Sequence, residues 1–337
     1  MTRKEALYNL AAGREADGVI FAPILMHFAA RQIGKTYGEF ASDHKVLVRA
    51  NVHAVREFGM DMASLISDPY RETSAFGAEI EFIDEGVPKC LTRVINSPGD
   101  IHSLKIPDIY EDYRTLDRIN GARELAGELG NEVSVGGWIE GPLAEASDLA
   151  GVSEMLLMLM MDPENANLLM DKCVTVAKNF AKAQIDAGCD LIGIGDAICS
   201  QIDLDTYNQF ILERHRDIIA FIHDQGALVK LHICGDITHL LHSIKEIKAD
   251  IVDFDWQVDL AEGRKILGPE TILCGNINPV LVQDKTSHEV YVLTSELLEK
   301  ERGNRFIMSA GCEIPVNTPP ENLLAMRRAV NEFSGRR

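Results

Sequence analysis

The chain has 337 residues, of which 46% are hydrophobic and 25% are charged, as is typical of a folded globular protein. Lys and Arg total 33 against 52 Asp and Glu, a formal charge of -19 at pH 7. Nucleic-acid binding needs a basic surface that releases counterions, so we predict no nucleic-acid partner. The longest apolar run, 155–161, is short of the roughly 20 residues of a membrane span. We therefore predict a cytoplasmic protein with no membrane partner.

Eight short β-branched or apolar runs, each ending near Gly, Asp or Pro, predict strands at 19–23, 62–67, 133–137, 191–196, 228–234, 251–255, 271–275 and 305–311. Helical spacing of apolar residues follows most of them, for example at 204–225, 237–247 and 287–301, and Asp162-Pro163 marks another helix start. This alternation indicates parallel βαβ units. Eight units predict an α/β fold, a (β/α)8 TIM barrel, with an open doubly wound sheet as the alternative.

One segment interrupts this alternation after the second predicted strand. Residues 78–95 predict an inserted antiparallel β-hairpin, with strands at 78–82 and 92–95 and a turn around the GVP segment at 86–88. No Gly-, Ser- or Pro-rich linker divides the chain, so we predict a single domain over 1–337.

A barrel carries its chemistry at the carboxyl ends of its strands, in the loops that lead into the helices. We therefore expect the functional site to be built from the polar residues at those ends. These residues are Asp68, Glu140, Asp196, His232, Cys234, Asp255, Asn276 and Cys312.

The strongest signal among them is the LHICG segment at 231–235. Side chains at positions i and i+2 of a strand share a face, so His232 and Cys234 face together before a glycine that lets the chain turn. Imidazole nitrogen and thiolate sulfur are preferred zinc ligands. Cys312 could be a third ligand, because a closed barrel brings distant strand ends to one rim. The alternative is a hydrogen-bonded core histidine with buried cysteines.

Four more strand-end residues have two interpretations each. Asp255 could be a weak fourth ligand or an acceptor for the imidazole, and Cys274 is either a ligand or packed against the barrel wall. Asp196 could be a general acid or base or orient a substrate, with a helix N-cap as the alternative. The same pair of interpretations applies to Asp68.

At these same residues the sequence resembles the uroporphyrinogen decarboxylase superfamily over nearly the whole chain. More narrowly, it resembles the corrinoid-dependent methyltransferase branch, typified by methylcobamide:coenzyme M methyltransferase. The most specific segments are GNINP at 275–279 and SAGCEIP at 309–315 with NTPP at 317–320. The matching segments SDP at 67–69, GAE at 77–79, GPL at 141–143, GDA at 195–197 and 229–235 are less specific.

The resemblance implies a (β/α)8 barrel with a zinc ion held by His232, Cys234 and Cys312. It also implies that zinc activates the thiol of an acceptor such as coenzyme M, which then takes a methyl group from the cobalamin of a separate corrinoid-binding protein. An acid follows the histidine and cysteine in the related zinc site of cobalamin-independent methionine synthase, which supports Asp255 as a conditional ligand. Within this interpretation we expect catalytic roles for Asp196 and Asp255, and substrate contacts from His27, Asp68, Glu140 and Asn276.

Three alternatives stay open at this point. The first is a uroporphyrinogen decarboxylase-type lyase, although 26–35 holds only Arg31 and Lys35 where that enzyme has several arginines for its substrate's carboxylates. The second is a zinc-dependent demethylase that transfers methyl from a small donor to cob(I)alamin, and the third is a non-catalytic module that binds a tetrapyrrole or corrinoid. Arg31, Lys35 and Arg71 are candidate anion contacts, with surface positions as the alternative.

Overall fold

The computed structural model describes residues 1–335 of the chain. Its strands overlap all eight predicted barrel strands, with ends that differ by a few residues at most. In chain order the strands are β1 Ile20–Phe21, β2 Met62–Ser64, β3 Ile80–Ile83, β4 Gly86–Cys90, β5 Ser134–Glu140, β6 Leu191–Gly195, β7 Leu228–Ile233, β8 Ile251–Phe254, β9 Ile272–Ile277 and β10 Phe306–Ala310.

Eight of these strands form one parallel sheet in the order β1-β10-β9-β8-β7-β6-β5-β2. Its two edge strands meet where the backbone N–H of Asp61, just before β2, donates to the carbonyl of Phe21 at 2.8 Å. The N–H of Phe21 in turn donates to Oδ2 of Asp61 at 2.8 Å. The sheet is therefore a nearly closed barrel, which confirms the predicted (β/α)8 fold and excludes the open sheet.

The helices surround the barrel, and none in the described range is both long and apolar enough to cross a membrane. They are α1 Arg3–Ala11, α2 His27–Gln32, α3 Tyr37–Ser42, α4 His44–Glu57, α5 Arg71–Ala75, α6 Pro98–Ser103, α7 Tyr113–Leu129, α8 Pro142–Ala150, α9 Val152–Met161, α10 Pro163–Asp186, α11 Leu204–Phe210, α12 Leu212–Asp224, α13 Leu241–Ile247, α14 Leu260–Leu267, α15 Pro279–Asp284, α16 Ser287–Lys300 and α17 Pro320–Phe333.

The predicted helices are present, with differences in their ends and continuity. The 204–225 segment is divided at Ile211 into α11 and α12, and 237–247 begins with a 3-10 turn at Thr238–Leu240 before α13. The 287–301 segment corresponds to α16. Asp162 caps α10 by accepting a hydrogen bond from the backbone N–H of Asn165, as a residue in front of a first-turn proline should.

Between β2 and β5, strands β3 and β4 pair antiparallel as a separate two-stranded sheet. The turn lies at Asp84-Glu85, and the second strand contains Gly86 and Pro88. The predicted turn at 86–88 and the predicted strand at 92–95 are therefore wrong. Both strands of a two-stranded sheet are edge strands, and an edge strand tolerates a proline that cannot donate a hydrogen bond.

Two apolar cores follow from the alternation of side chains along the strands. The larger one lies between the strands and the surrounding helices. The smaller one fills the barrel interior, and Leu7 of α1 packs into it from the amino-terminal end. Its other members are Ile20, Ala22, Leu191, Ile251, Ile272, Cys274 and Ile307. The polar residues that face inward beyond this core lie toward the carboxyl end of the barrel, where the site is.

The junction of β1 and β2 predicts a specific loss of stability. Asp61 is buried, and its Oδ2 also pairs with Nη1 of Arg327 at 2.8 Å. Asp61→Ala leaves Arg327 unpaired and should lower the free energy of unfolding by about 3 kcal/mol, measured by urea denaturation. Lys182→Ala, which breaks an exposed pair with Asp186, should cost no more than about 0.5 kcal/mol. Equal losses in the two variants would contradict the proposed role of Asp61 in closing the barrel.

Candidate functional site

Three sequence-distant side chains meet at the carboxyl end of the barrel. His232 lies near the end of β7, Cys234 follows that strand, and Cys312 lies just after β10. Gly235 has a φ of 94°, so the chain turns after Cys234 as the sequence predicts. One ligand atom from each of the three lies within 4.8 Å of the others. Nε2 of His232 is 3.1 Å from Sγ of Cys234, which is 4.0 Å from Sγ of Cys312.

These distances fit a single tetrahedral metal ion. Two thiolates bound to zinc at about 2.3 Å would lie about 3.8 Å apart, close to the 4.0 Å between Cys234 and Cys312. An imidazole and a thiolate on the same ion would lie about 3.6 Å apart, so the contact between His232 and Cys234 has to open by about half an ångström. One nitrogen and two sulfur donors match the ligand preference of zinc.

A carboxylate inside the barrel holds the imidazole in place. Asp253 is the register partner of His232 in the β7–β8 pair. Nδ1 of His232 lies 3.3 Å from Oδ2 of Asp253 and 3.2 Å from its carbonyl oxygen, which leaves Nε2 directed at the cysteines. Nζ of Lys230 lies 2.8 Å from the same Oδ2. Burial alone would lower the pKa of His232, but Asp253 and Cys312 outweigh it and raise that pKa to about 10.

The two thiols of the cluster differ in acidity. The largest effect on the pKa of the Cys312 thiol is its hydrogen bond with Cys234. Together with the contribution of His232, this hydrogen bond outweighs burial and lowers the pKa to about 5. The same hydrogen bond, together with burial, raises the pKa of Cys234 far above its usual value. These opposite shifts favour a thiolate on Cys312 and a thiol on Cys234. A thiolate is the form of cysteine that binds a metal ion, and binding would also release the proton that Asp253 and Cys312 favour on His232.

A cavity of about 160 Å³ opens beside the cluster. One part of its wall is apolar and comprises Ile24, Met26, Ile66, Pro69 and Trp138. The indole of Trp138 occupies the space over β6, because a Cβ atom on Gly193 would lie 2.2 Å from its ring. The indole N–H donates to Oε1 of Glu140 at 3.2 Å. The cavity therefore has a rigid aromatic wall and borders the three candidate ligands.

Asp68 and Glu140, both predicted at strand ends, line this cavity and pair with buried arginines. Oδ2 of Asp68 is 2.7 Å from Nη2 of Arg114, and Oε1 of Glu140 is 2.9 Å from Nη2 of Arg71. Burial would raise the pKa of Asp68, but Arg114 and Arg71 hold it well below its usual range. Burial, helped by neighbouring Glu72, raises the pKa of Glu140 despite Arg71. Arg71, predicted as an anion contact or a surface charge, is fully buried.

Glu313 also lines the cavity, although it was not predicted as a site residue. The available signal is its place directly after Cys312 in SAGCEIP. Burial, with a contribution from Cys312, raises the pKa of Glu313 to about 7. Its Oε1 accepts a hydrogen bond from the backbone N–H of His27 at 2.9 Å. The His27 ring stacks on Tyr37 with centroids 5.1 Å apart. Its predicted contact with a substrate stays a prediction.

Asp196 is fully buried, and its carboxylate serves the backbone. Oδ1 accepts a hydrogen bond from the N–H of Ala144 in the first turn of α8 at 2.7 Å. Oδ2 lies 3.0 Å from Nε2 of His215, whose Nδ1 lies 2.9 Å from the hydroxyl of Tyr207. The residues on either side of Asp196, at 195 and 197, line the cavity. Asp196 thus caps a helix and supports the cavity wall, and its catalytic role stays a prediction.

The remaining strand-end residues lie beside the cluster. Asp255 accepts a hydrogen bond from the backbone N–H of Gln257 at 3.1 Å. The amide of Asn276 donates to the carbonyl of Asp255 at 3.0 Å, so it braces the loop after β8. Cys274 packs in the barrel interior with a pKa raised by burial. Neither Asp255 nor Cys274 is grouped with His232, Cys234 and Cys312 in this cluster.

The fold and the site define a (β/α)8-barrel protein with one histidine and two cysteines at the mouth of its barrel. Residues 2–333 match the family described as uroporphyrinogen decarboxylase (URO-D). The chain therefore belongs to the uroporphyrinogen decarboxylase family and is an enzyme of that superfamily, as the motifs predicted.

Individual relatives of the chain carry two kinds of name. Most similar curated proteins are named uroporphyrinogen decarboxylase, including one from Geobacter metallireducens that is 27% identical and covers 89% of this chain and 88% of its own. Methylcobamide:CoM methyltransferase MtaA of Methanosarcina barkeri is 24% identical over 90% of this chain and 88% of its own.

Solved structures agree with the fold. A methyltransferase from Methanosarcina mazei superimposes with a TM-score of 0.91 at 21% identity and covers 99% of both chains. A B12-independent methionine synthase from Shewanella sp. W3-18-1 gives a TM-score of 0.57 at 12% identity, with 87% of this chain and 86% of that one covered. At these identities the likeness concerns the fold alone.

The contact between Asp253 and His232 predicts which acid near β8 supports the cluster. Asp253→Asn should weaken zinc binding about 10- to 100-fold, as losses of a carboxylate behind a histidine ligand do, while Asp255→Asn should have a much smaller effect. Lys230→Met controls for the ion pair, since it retains the carboxylate next to the imidazole. Competition with a chromophoric chelator measures each affinity. A larger effect from Asp255→Asn would contradict this assignment.

The loop that carries Cys312 predicts a second effect. A Cβ atom on Gly311 would lie 2.2 Å from the backbone nitrogen of Trp256, so Gly311→Ala must displace one of the two loops. We expect reduced zinc content by elemental analysis of a protein that still folds. Gly127→Ala is the matched control, since the added atom meets nothing within 4 Å in α7. Unchanged zinc content in Gly311→Ala would show that the loop adapts without moving Cys312.

Proposed function

We propose that this protein is a zinc-dependent methyltransferase that moves a methyl group between the cobalamin of a corrinoid-binding protein and a small acceptor thiol. Coenzyme M is the acceptor named for the Methanosarcina barkeri relative. The observation that carries the proposal is the convergence of His232, Cys234 and Cys312 within 4.8 Å at the barrel mouth. One nitrogen and two sulfur donors leave a fourth tetrahedral position for an acceptor, as catalytic zinc sites do.

The chain's own residues prepare this chemistry. His232, Cys234 and Cys312 would hold zinc, which when bound supplies the Lewis acidity that lowers the pKa of a coordinated thiol. Asp253 orients the imidazole, and the apolar wall around Trp138 keeps water from the reacting sulfur. The opening of the cavity leaves room for the methyl donor to align with that sulfur, which is a proximity effect.

The roles of the other candidates follow from where they lie. Asp68 and Glu140 remain candidate substrate contacts because they line the cavity. Asp196 and Asp255 as catalytic residues, and His27 and Asn276 as substrate contacts, stay predictions. The same site would also serve the reverse direction, in which a small donor gives its methyl group to cob(I)alamin.

Decarboxylation of a tetrapyrrole is the second candidate, because most of the similar curated proteins are named uroporphyrinogen decarboxylase. Two observations weigh against it. The cavity of about 160 Å³ is smaller than the roughly 300–1,000 Å³ of pockets for drug-sized ligands. The guanidinium groups nearest to it, from Arg71 and Arg114, are already paired with the protein's own carboxylates. Decarboxylation also makes no evident use of the histidine and cysteine cluster.

Metal analysis followed by a turnover assay tests the proposed function. The purified protein should hold about one zinc per chain and demethylate methylcobalamin in the presence of thiols. Cys234→Ala and Cys312→Ala should each lose both properties, because two remaining ligands hold zinc poorly. Cys90→Ala is the matched control, since Cys90 lies in the separate hairpin strand β4 and outside the cluster.

Two results would contradict the proposed function. One is a protein without zinc whose activity is unchanged in Cys234→Ala and Cys312→Ala. The other is decarboxylation of uroporphyrinogen that chelators do not affect, which would establish the second candidate instead.

A further inference from the structure

The ionisable residues that line the cavity are mainly acidic. Three carboxyl groups face it, from Asp68, Glu140 and Glu313. No lysine or arginine of the described chain is among its lining residues, and the only histidine there is His232 of the cluster. A negatively charged ligand would therefore meet carboxyl groups without an available cation.

The two arginines behind this lining are already paired with carboxylates of the protein. Arg71 donates to Oε1 of Glu140 at 2.9 Å and also to the carbonyl of Asp68. Arg114 donates to Oδ2 of Asp68 at 2.7 Å and to the carbonyl of Tyr70 at 2.9 Å. Both arginine side chains are 1% exposed. An anion that displaced either guanidinium from its partner would leave a buried carboxylate unpaired, which is strongly unfavourable.

Other nearby cations have partners of their own. Nζ of Lys230 lies 2.8 Å from Oδ2 of Asp253, and Lys35 pairs with Glu39 on the outside of the barrel. Arg31 is exposed and donates to the side chain of Asn317 at 3.1 Å. None of these three cations lines the cavity. The apolar and aromatic wall, by contrast, accepts a neutral group or a cation, since an indole ring attracts positive charge.

We propose that the site selects small thiols that carry no negative charge, so that its acceptor is a neutral or cationic thiol rather than a sulfonate or carboxylate. The proposal deepens the zinc-dependent thiol methylation described above and rests on it. The observations that carry it are the carboxyl lining of the cavity and the paired state of Arg71 and Arg114.

Three thiols with the same two-carbon spacer test the proposal. They are 2-mercaptoethanesulfonate, 2-mercaptoethanol and 2-aminoethanethiol, which differ in the charge of one terminal group. Binding to the Co²⁺-substituted protein is measured by the thiolate-to-cobalt absorption, and each dissociation constant is corrected for the pKa of the free thiol. We expect the sulfonate to bind at least about tenfold more weakly than the alcohol, and the amine to bind at least as well as the alcohol.

A charge variant at the cavity wall strengthens the test. Met26 is half-buried and lines the cavity, so Met26→Lys should improve binding of the sulfonate alone. Met26→Gln is the matched neutral control and should leave the order of the three thiols unchanged. Circular dichroism checks that both variants fold. Glu140→Gln removes one carboxyl group from the lining, so it should also reduce the difference in affinity between the sulfonate and the alcohol.

The outcomes separate this proposal from the proposed function. Sulfonate binding as tight as that of the alcohol in the wild-type protein would overturn the charge selection and leave thiol activation intact. Absence of the cobalt absorption with all three thiols would overturn both. The charge selection would be supported if the weaker binding of the sulfonate, relative to the alcohol, is reduced in Met26→Lys and persists in Met26→Gln.

Discussion

The site depends on one constraint, the parallel register of the barrel strands. Because β7 and β8 are in register at His232 and Asp253, the carboxylate lies beside the imidazole without any loop having to place it there. The next neighbour at this level is Cys274 of β9, which is packed in the interior core. One level of the barrel therefore changes from apolar packing to a charged support within three adjacent strands, and the two cluster cysteines lie just above it.

This arrangement explains how a strongly acidic chain builds a site around two thiols. Three carboxylates near the cavity are held by basic partners and so do not compete with the cysteines for a metal ion. Asp68 and Glu140 pair with arginines, and Asp253 pairs with Lys230. The histidine is fixed from behind by a carboxylate that is itself fixed. Preorganisation of this kind is what a site needs when its chemistry is mainly alignment.

The sequence was sufficient for the fold and for the three cluster residues, because strand-end position and the two-residue period are local signals. The sequence was insufficient where the register between strands decides which side chains become neighbours. Asp255 was predicted as either a weak fourth ligand or an acceptor for the imidazole, whereas Asp253, two positions earlier on the same face, lies beside the imidazole. The pairing of Arg71 with Glu140 joins residues 69 positions apart, and no local pattern indicates it. The hairpin turn lies at Asp84-Glu85 rather than at 86–88, because the second strand is an edge strand and tolerates Pro88.

Helix α1 gives the barrel a closed floor. Leu7 fills the interior from below, and Lys4 and Tyr8 bind Asp190 just before β6. Both reactants of the proposed transfer would then enter from the carboxyl end of the barrel. A bulky corrinoid protein docked over that end would trap whatever small molecule was already inside and bar any that was not. For the transfer proposed here, this geometry imposes an order of addition, with the small reactant entering first and leaving only after the large one departs.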